Sequence, residues 1–128
     1  MVVLDTHALL WWSLDPEKLS ARANEVCREM EREGGYVSAI SVWEIGIKIK
    51  RKNLEIGTSL EDYAERLKRL DCLEILPVDT DIWVENMQLP WEHRDPADRT
   101  IVATARLRSL PILTKDTLIR DIYPETLW

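Results

Sequence analysis

The chain has 128 residues, of which 45% are hydrophobic and 31% charged, and we expect a single globular domain over residues 1–128 with one buried core. No apolar run approaches the roughly 20 residues that span a bilayer, which excludes a transmembrane helix and leaves no membrane partner to expect. The formal net charge of −6 argues against nucleic-acid binding unless positive charge is concentrated locally, because phosphate contacts need Lys and Arg.

The first half of the chain alternates short apolar runs with amphipathic segments. Residues 2–4 predict a buried strand. A helix is predicted over residues 16–33, with Asp15 as its N-cap and two glycines after it. Residues 36–38 predict a second strand, and Ser41 is expected to start the next helix. This half therefore predicts a strand–helix–strand–helix order.

The second half continues the alternation. A helix is predicted over residues 59–70, a strand over 73–76 and a short helix over 79–87. Asp95 is expected to start a further helix, followed by a strand over residues 111–114. Short strands separated by helices predict an α/β fold with a parallel sheet covered on both faces.

Acidic residues follow the predicted strands. Asp5 comes directly after the first strand, Glu44 is expected in the first turn of the helix after the second, and Asp116 lies two residues after the fourth. Sites in such sheets form at the carboxyl ends of the strands, so these three acids are expected at one edge. Asp98, in the first turn of the helix before the fourth strand, joins them if that helix begins at the same edge.

A converging set of carboxylates predicts a metal site. Two carboxylates about 4 Å apart repel by roughly 4 kcal/mol at an effective dielectric constant of about 20. A hard divalent cation removes this repulsion, and oxygen ligands favour Mg²⁺ or Mn²⁺ over zinc. Such ions can activate water against a phosphodiester. The chain has no GxxxxGK[ST], GxGxxG or GxSxG motif that would indicate other chemistry.

Helix capping is the alternative explanation for the same acids. Ser41 and Glu44 fit a capping box, while Asp95 and Asp98 fit the N-cap and third helical positions. Asp116 also precedes a segment that it could cap. Asp5 is the exception in this interpretation, because the residues after it give no helix signal.

Four motifs, in order along nearly the whole chain, resemble the PIN-domain toxins of type II toxin–antitoxin systems, the VapC-like group. The motifs are VLDTHALLWW at 3–12, SAISVWEI at 38–45, HRDPADR with IVATA at 93–99 and 101–105, and LTKD at 113–116. The resemblance implies a PIN-like three-layer α/β fold, with a short-stranded, mostly parallel central sheet flanked by helices. It also implies a Mg²⁺- or Mn²⁺-dependent endoribonuclease that hydrolyses RNA with metal-activated water, a small antitoxin as partner and a homodimer.

The resemblance also assigns residues. Those that match the metal-binding and catalytic acids are Asp5, Glu44, Asp98 and, as the fourth, Asp116. Supporting positions are Thr6 and Thr114, whose hydroxyls orient a ligand or water or bond local backbone, and Asp95, the expected N-cap that could assist the site. Arg99, like Arg94, flanks the acidic motif and is a candidate for phosphate contact, the alternative being solvation or pairing with an acid. His7 and His93 are expected to pack or accept hydrogen bonds rather than transfer protons.

Other residue classes bear on compartment and partners. Cys27 and Cys72 form no CxxC pair and the N-terminus has no secretory signal, so we expect a cytoplasmic protein without a disulfide scaffold. Trp43 is expected in the core, whereas Trp11 and Trp12 are expected in or near loops, facing a protein partner rather than RNA.

Two other functions compete with the ribonuclease. The first is a catalytically silent RNA- or protein-binding module in which the acids serve only as caps. The second is a phosphotransferase of the haloacid dehalogenase type, which also has an Asp after an apolar strand. That class needs a second Asp two residues later, and this chain has His7 there.

Overall fold

The computed structural model describes every residue from Met1 to Trp128. Its five strands are β1 Val3–Leu4, β2 Gly35–Ser38, β3 Leu73–Leu76, β4 Ile112–Leu113 and β5 Thr126–Leu127. They form one sheet in the order β3-β2-β1-β4-β5, and every neighbouring pair is parallel. The predicted α/β fold with a mostly parallel sheet is confirmed, and β1 lies at the centre of the sheet.

Seven α-helices connect the strands: α1 Thr6–Leu14, α2 Ala21–Glu33, α3 Ala39–Lys50, α4 Leu60–Lys68, α5 Thr80–Gln88, α6 Pro96–Arg108 and α7 Thr117–Ile122. Each begins after a Ser or Asp whose side chain accepts a hydrogen bond from a backbone N–H of the first turn. Such a cap typically stabilises a helix by about 1 kcal/mol. None of the helices combines the length and the apolar character that crossing a bilayer requires.

The sheet separates two hydrophobic clusters. Successive residues of a strand point to opposite faces. Leu4 and Leu113 accordingly lie in a cluster of 16 buried residues on one face, while Val3 and Ile112 lie in a cluster of eight on the other. Both faces of the central strands are therefore dry, and the site residues lie where these strands end.

Two elements were not predicted, and two predicted starts were wrong. Helix α1 has apolar residues on both its faces, so it lacks the amphipathic period that identifies a helix. Strand β5 pairs only two residues with β4. The predicted helix over residues 16–33 begins at Ala21 instead, behind a 3-10 turn at Pro16–Lys18. Ser38, not Ser41, caps α3.

The tryptophans were placed incorrectly. Trp43 is 51% exposed rather than buried in the core. Trp11 and Trp12, expected in or near loops, lie in the last part of α1, which ends at Leu14. Trp12 packs against the larger cluster and donates its indole N–H to Glu31 at 3.0 Å, so it is held by its own chain.

Candidate functional site

Asp5 joins the central strand to the first helix. One carboxylate oxygen, Oδ1, accepts the backbone N–H of Ala8 at 2.7 Å, so Asp5 caps α1, contrary to the expectation that no helix follows it. The other oxygen, Oδ2, accepts the hydroxyl of Thr114. The residue is only 5% exposed. Burial raises the pKa of Asp5 to about 6, although both hydrogen bonds oppose the rise.

Thr114 connects the ends of the two central strands. It follows β4, and its hydroxyl donates to Asp5 and accepts the backbone N–H of Asp116 at 3.0 Å. Asp116 in turn caps α7 by accepting the N–H of Leu118 at 2.8 Å. The hydroxyl of Thr114 thus orients one predicted carboxylate and fixes the backbone of another.

The N-terminus of α6 brings three titratable residues together. Asp95 is the expected N-cap and accepts the N–H groups of Ala97 and Asp98 at 2.8 and 3.2 Å. Asp98 Oδ2 lies 2.8 Å from Nε2 of His93, and the Asp98 side chain is 18% exposed. Burial raises the pKa of Asp98 to about 6, and the charge of Asp95 adds to the rise. His93 therefore has a definite partner at this position.

The charges of Glu44 and Asp116 affect the carboxyl groups of both Asp5 and Asp98. The charges of Glu44 and Asp116 raise the pKa of Asp5 and also that of Asp98. Asp5 and Asp98 therefore both lie within the electrostatic influence of Glu44 and Asp116. Glu44 lies in the second turn of α3, not in the first as predicted, because α3 begins at Ala39.

The spacing of the acids is wide. Three residues form a close group in which the possible ligand atoms all lie within 4.8 Å of one another: His93, Asp95 and Asp98. No other His, Cys, Asp or Glu residues form such a group of three or more. The larger set of four is more open than this. An open set of oxygen ligands suits an ion such as Mg²⁺, which keeps several of its waters and takes few direct protein ligands.

Two further residues border the carboxylates. His7 lies in the first turn of α1, and its side chain is exposed along part of its surface. Partial burial of the ring and the charge of Lys48 lower the pKa of His7, while the charges of Glu44, Asp98 and Asp116 oppose this. His7 and Lys48 therefore border the carboxylates. The role expected for His7 from the sequence was packing or hydrogen bonding, and Lys48 was not expected at the site.

Thr6 links the helix that follows Asp5 to the helix that carries Glu44. Its hydroxyl lies 2.9 Å from that of Ser41, and both residues are almost fully buried. A buried bond between two side chains on different helices fixes the distance between them. Thr6 is thus engaged with Ser41, and it sets the position of α3 relative to α1.

Arg99 is not available for the phosphate contact that was predicted. Its Nε donates to Asn86 Oδ1 at 3.1 Å, and its two terminal nitrogens donate to the backbone carbonyls of Asn86, Leu89, Trp91 and His93. An arginine has five N–H donors, and these contacts use all of them. Arg99 therefore holds the segment between α5 and α6, whereas its neighbour Arg94 is exposed.

The chain matches the PIN domain family over residues 2–123. It is 27% identical over 131 residues to Ribonuclease VapC22 of Mycobacterium tuberculosis, covering 99% of this chain and 98% of that protein. The crystal structure of FitAcB from Neisseria gonorrhoeae matches with a TM-score of 0.68 and 26% identity, covering 98% of this chain and 95% of that one. A toxin–antitoxin complex from Klebsiella pneumoniae has the same fold, with a TM-score of 0.64 at 19% identity, covering 98% of this chain and 95% of that one.

Proposed function

The chain belongs to the PIN domain family and is similar to VapC-like ribonucleases, and from this premise we propose that it is a divalent-metal-dependent endoribonuclease. We propose that it hydrolyses RNA phosphodiester bonds and acts as the toxin of a toxin–antitoxin pair. The observation that carries the proposal is the shared site of Asp5, Glu44, Asp98 and Asp116, in which two carboxyl groups have a pKa of about 6.

The residues of the site fit a divalent cation. Asp5 and Asp98 are buried acids whose raised pKa values reflect burial and the negative charge of their neighbours. A cation among them would offset both the cost of burying these charges and the repulsion between them. A set of carboxylate oxygens suits Mg²⁺ or Mn²⁺. In this proposal Asp5, Glu44, Asp98 and Asp116 hold the ion, directly or through water.

The bound ion would supply Lewis acidity, which lowers the pKa of water and stabilises negative charge on a transferring phosphoryl group. The protein supplies the position of the ligands. Thr114 and the N–H of Ala8 fix the carboxylate of Asp5, and His93 fixes that of Asp98. Ligand orientation of this kind typically changes metal affinity or activity by about 10- to 100-fold when it is lost.

A small antitoxin is the proposed protein partner. Support comes from VapC22 as a relative and from a toxin–antitoxin complex among the solved structures of the same fold. We also propose a homodimer, supported by apolar side chains of α5 that are exposed: Trp83 by 45%, Val84 by 50% and Met87 by 78%. A cytoplasmic location stays a prediction from the sequence.

The experiment that tests the activity does not require a chosen substrate. Wild type, Asp5→Asn and Asp79→Asn are induced separately in bacteria, and all new RNA 5′ ends are mapped by sequencing. Asp79 caps α5 through a 3.0 Å bond to the N–H of Ile82, so its substitution is a matched control for a lost charge at a helix cap. New ends with wild type and Asp79→Asn, but not with Asp5→Asn, are expected. The same ends with all three proteins would contradict the proposal.

A silent binding module is the second candidate function. The observation that favours it is that Asp5, Asp95 and Asp116 all cap helices, so each has a structural role without metal. The two functions differ in their response to Mn²⁺. A ligand that binds only the native state raises the unfolding temperature, whereas acids that serve only as caps give no such rise.

A further inference from the structure

Three aromatic side chains lie side by side at the outer face of helix α1: His7 is exposed, and Trp11 and Trp128 are partly exposed. The buried residues of α1 are Thr6, Ala8, Leu9 and Leu10, so positions 7 and 11, one turn apart, lie on the opposite side. The ring centroids of His7 and Trp11 are 5.6 Å apart. Those of Trp11 and Trp128, the residue after β5, are 5.5 Å apart. Three aromatic rings thus form a continuous row.

The row starts at the carboxylate site. His7 is separated from Asp5 by one residue, and the bond from Thr6 to Ser41 holds this turn of α1 against α3. Lys48 lies on α3 one turn after Glu44, and so on the same face of that helix. The outer face of α1 therefore continues from the acids to His7 and then to Trp11.

The chemistry of this face matches single-stranded nucleic acid. Carboxylates with a bound cation recognise a phosphate but not a base, whereas aromatic rings stack on bases of any sequence. Lys48, on the same face of α3 as Glu44, supplies a positive charge for a neighbouring phosphate. A protein partner needs neither a cation beside the aromatic row nor a row that begins at the metal ligands, so RNA is the occupant that these features favour.

We propose that His7, Trp11 and Trp128 form a stacking platform for a base of single-stranded RNA that flanks the phosphodiester held at the carboxylates. This inference rests on the proposed function. Lys48 contacts the RNA backbone beside the platform. The platform selects unpaired RNA, because a base within a duplex is stacked on its neighbours and presents no free face to the rings.

The test compares oligonucleotides that differ only in their bases. The wild-type chain is used so that the carboxylate site stays complete, and Ca²⁺ replaces Mg²⁺ to slow hydrolysis, because Ca²⁺ takes oxygen ligands without the strict octahedral geometry of Mg²⁺. Binding is measured by fluorescence anisotropy. The probes are a pool of random single-stranded RNA of about 12 nucleotides and an abasic pool of equal length and charge. Trp11→Ala and His7→Ala should each weaken binding of the base-containing pool by about tenfold to a hundredfold, and binding of the abasic pool by less than about twofold.

Three controls separate stacking from other effects. Trp11→Phe keeps an aromatic face and should restore most of the affinity. Trp43→Ala removes a tryptophan that is 51% exposed on α3 and should change neither affinity. Lys48→Ala should weaken both pools alike and reduce the dependence of binding on salt.

The outcomes distinguish this inference from the proposed function. If Trp11→Ala binds both pools as the unsubstituted chain does, the platform is absent and the aromatic face is left to a protein partner. If it weakens both pools equally, Trp11 acts through the fold. Either result overturns the inference alone. If the unsubstituted chain binds neither pool, the proposed function fails with it.

Discussion

The two halves of the carboxylate site reach similar electrostatics by different structural means. In both halves a carboxyl group has a pKa raised to about 6, chiefly by burial. Asp5 lies at the end of the central strand and is held by Thr114 and Ala8. Asp98 lies at the start of α6, is more exposed, and is held by His93 from the segment before the helix.

The two halves differ in the contacts that hold their carboxylates in place. The half around Asp5 is supported by the hydrogen-bonded sheet, since β1 and β4 are paired parallel strands. The half around Asp98 lies at the start of a helix, where Asp95 caps the first turn and Arg99 holds the carbonyls of Trp91 and His93. One half is positioned mainly by strand pairing and the other mainly by side-chain hydrogen bonds.

The largest effect is therefore expected at Arg99. Arg99→Ala leaves Asn86 and four carbonyl groups without their donor, and we expect the free energy of unfolding to fall by about 3 kcal/mol. Arg99→Lys keeps the charge but not the planar donors, so it should recover only part of this loss. The measurement is urea denaturation of each variant. Arg94→Ala, at an exposed neighbour, should stay within about 0.5 kcal/mol of wild type.

RNA binding gives an independent check on Arg99. If Arg99 contacted phosphate, its loss would reduce the slope of log affinity against log salt by about one unit. We expect that slope to be unchanged in Arg99→Lys. A reduced slope in a stably folded variant would show that the side chain leaves its five acceptors to bind RNA.

The second effect concerns pH in the metal-free protein. The folded-state pKa of Asp5 is raised from 3.8 to about 6, so the folded chain holds a proton that the unfolded chain releases. The preference of the folded chain for this proton stabilises it at low pH. The stabilisation is complete below pH 3.8 and is lost as the pH rises through about 6. Asp5→Asn removes the penalty while keeping a good N-cap, and it should stabilise the metal-free protein by about 2 kcal/mol at pH 7.

Asp98→Asn should also stabilise the metal-free protein at pH 7, but by a smaller amount, because Asp98 is more exposed than Asp5. Thermal unfolding of both variants between pH 4 and pH 8, with chelator present, measures this. Wild type should lose stability over that range while Asp5→Asn changes less. If neither variant were more stable than wild type at pH 7, burial of these carboxylates would not carry the cost that their raised pKa values indicate.

The smallest changes in stability are expected at Thr114 and His93, the two residues whose side chains orient Asp5 and Asp98. Thr114→Val removes the donor to Asp5 and the acceptor for the N–H of Asp116, both near the buried end of β4. We expect it to reduce stability by about 1–2 kcal/mol. His93→Ala breaks a more exposed pair and should change stability by less than about 0.5 kcal/mol. Equal losses in urea denaturation would contradict the distinction between the two halves.

Much of the fold followed from local signals. The strand over residues 73–76 and the start of α6 were predicted correctly, because a short apolar run and the pair Asp95-Pro96 are signals contained within a few residues. Helix α1 was missed because its apolar residues face the core on one side and form the aromatic row on the other. Strand β5 has too few residues to produce a period and exists through its pairing with β4.

The choice of Asp5, Glu44, Asp98 and Asp116 as the metal ligands stays a prediction, made because strand ends in a parallel sheet meet at one edge. The charges of Glu44 and Asp116 raise the pKa of both Asp5 and Asp98, which supports it. Arg99 was assigned the wrong contact, since its acceptors are carbonyls up to 13 residues away in sequence. No periodicity or motif reports where backbone carbonyls converge, so this role becomes visible only in three dimensions.

The central claim is that the half around Asp5 and the half around Asp98 together bind a divalent cation. Titration with Mn²⁺ tests this claim most directly. Thermal unfolding is followed with increasing Mn²⁺ at pH 7 for wild type, Asp5→Asn, Asp98→Asn and the control Asp79→Asn. We predict that Mn²⁺ raises the unfolding temperature of wild type and of Asp79→Asn, and raises it far less in the other two. An equal rise in all four proteins, or no rise in wild type, would contradict the claim.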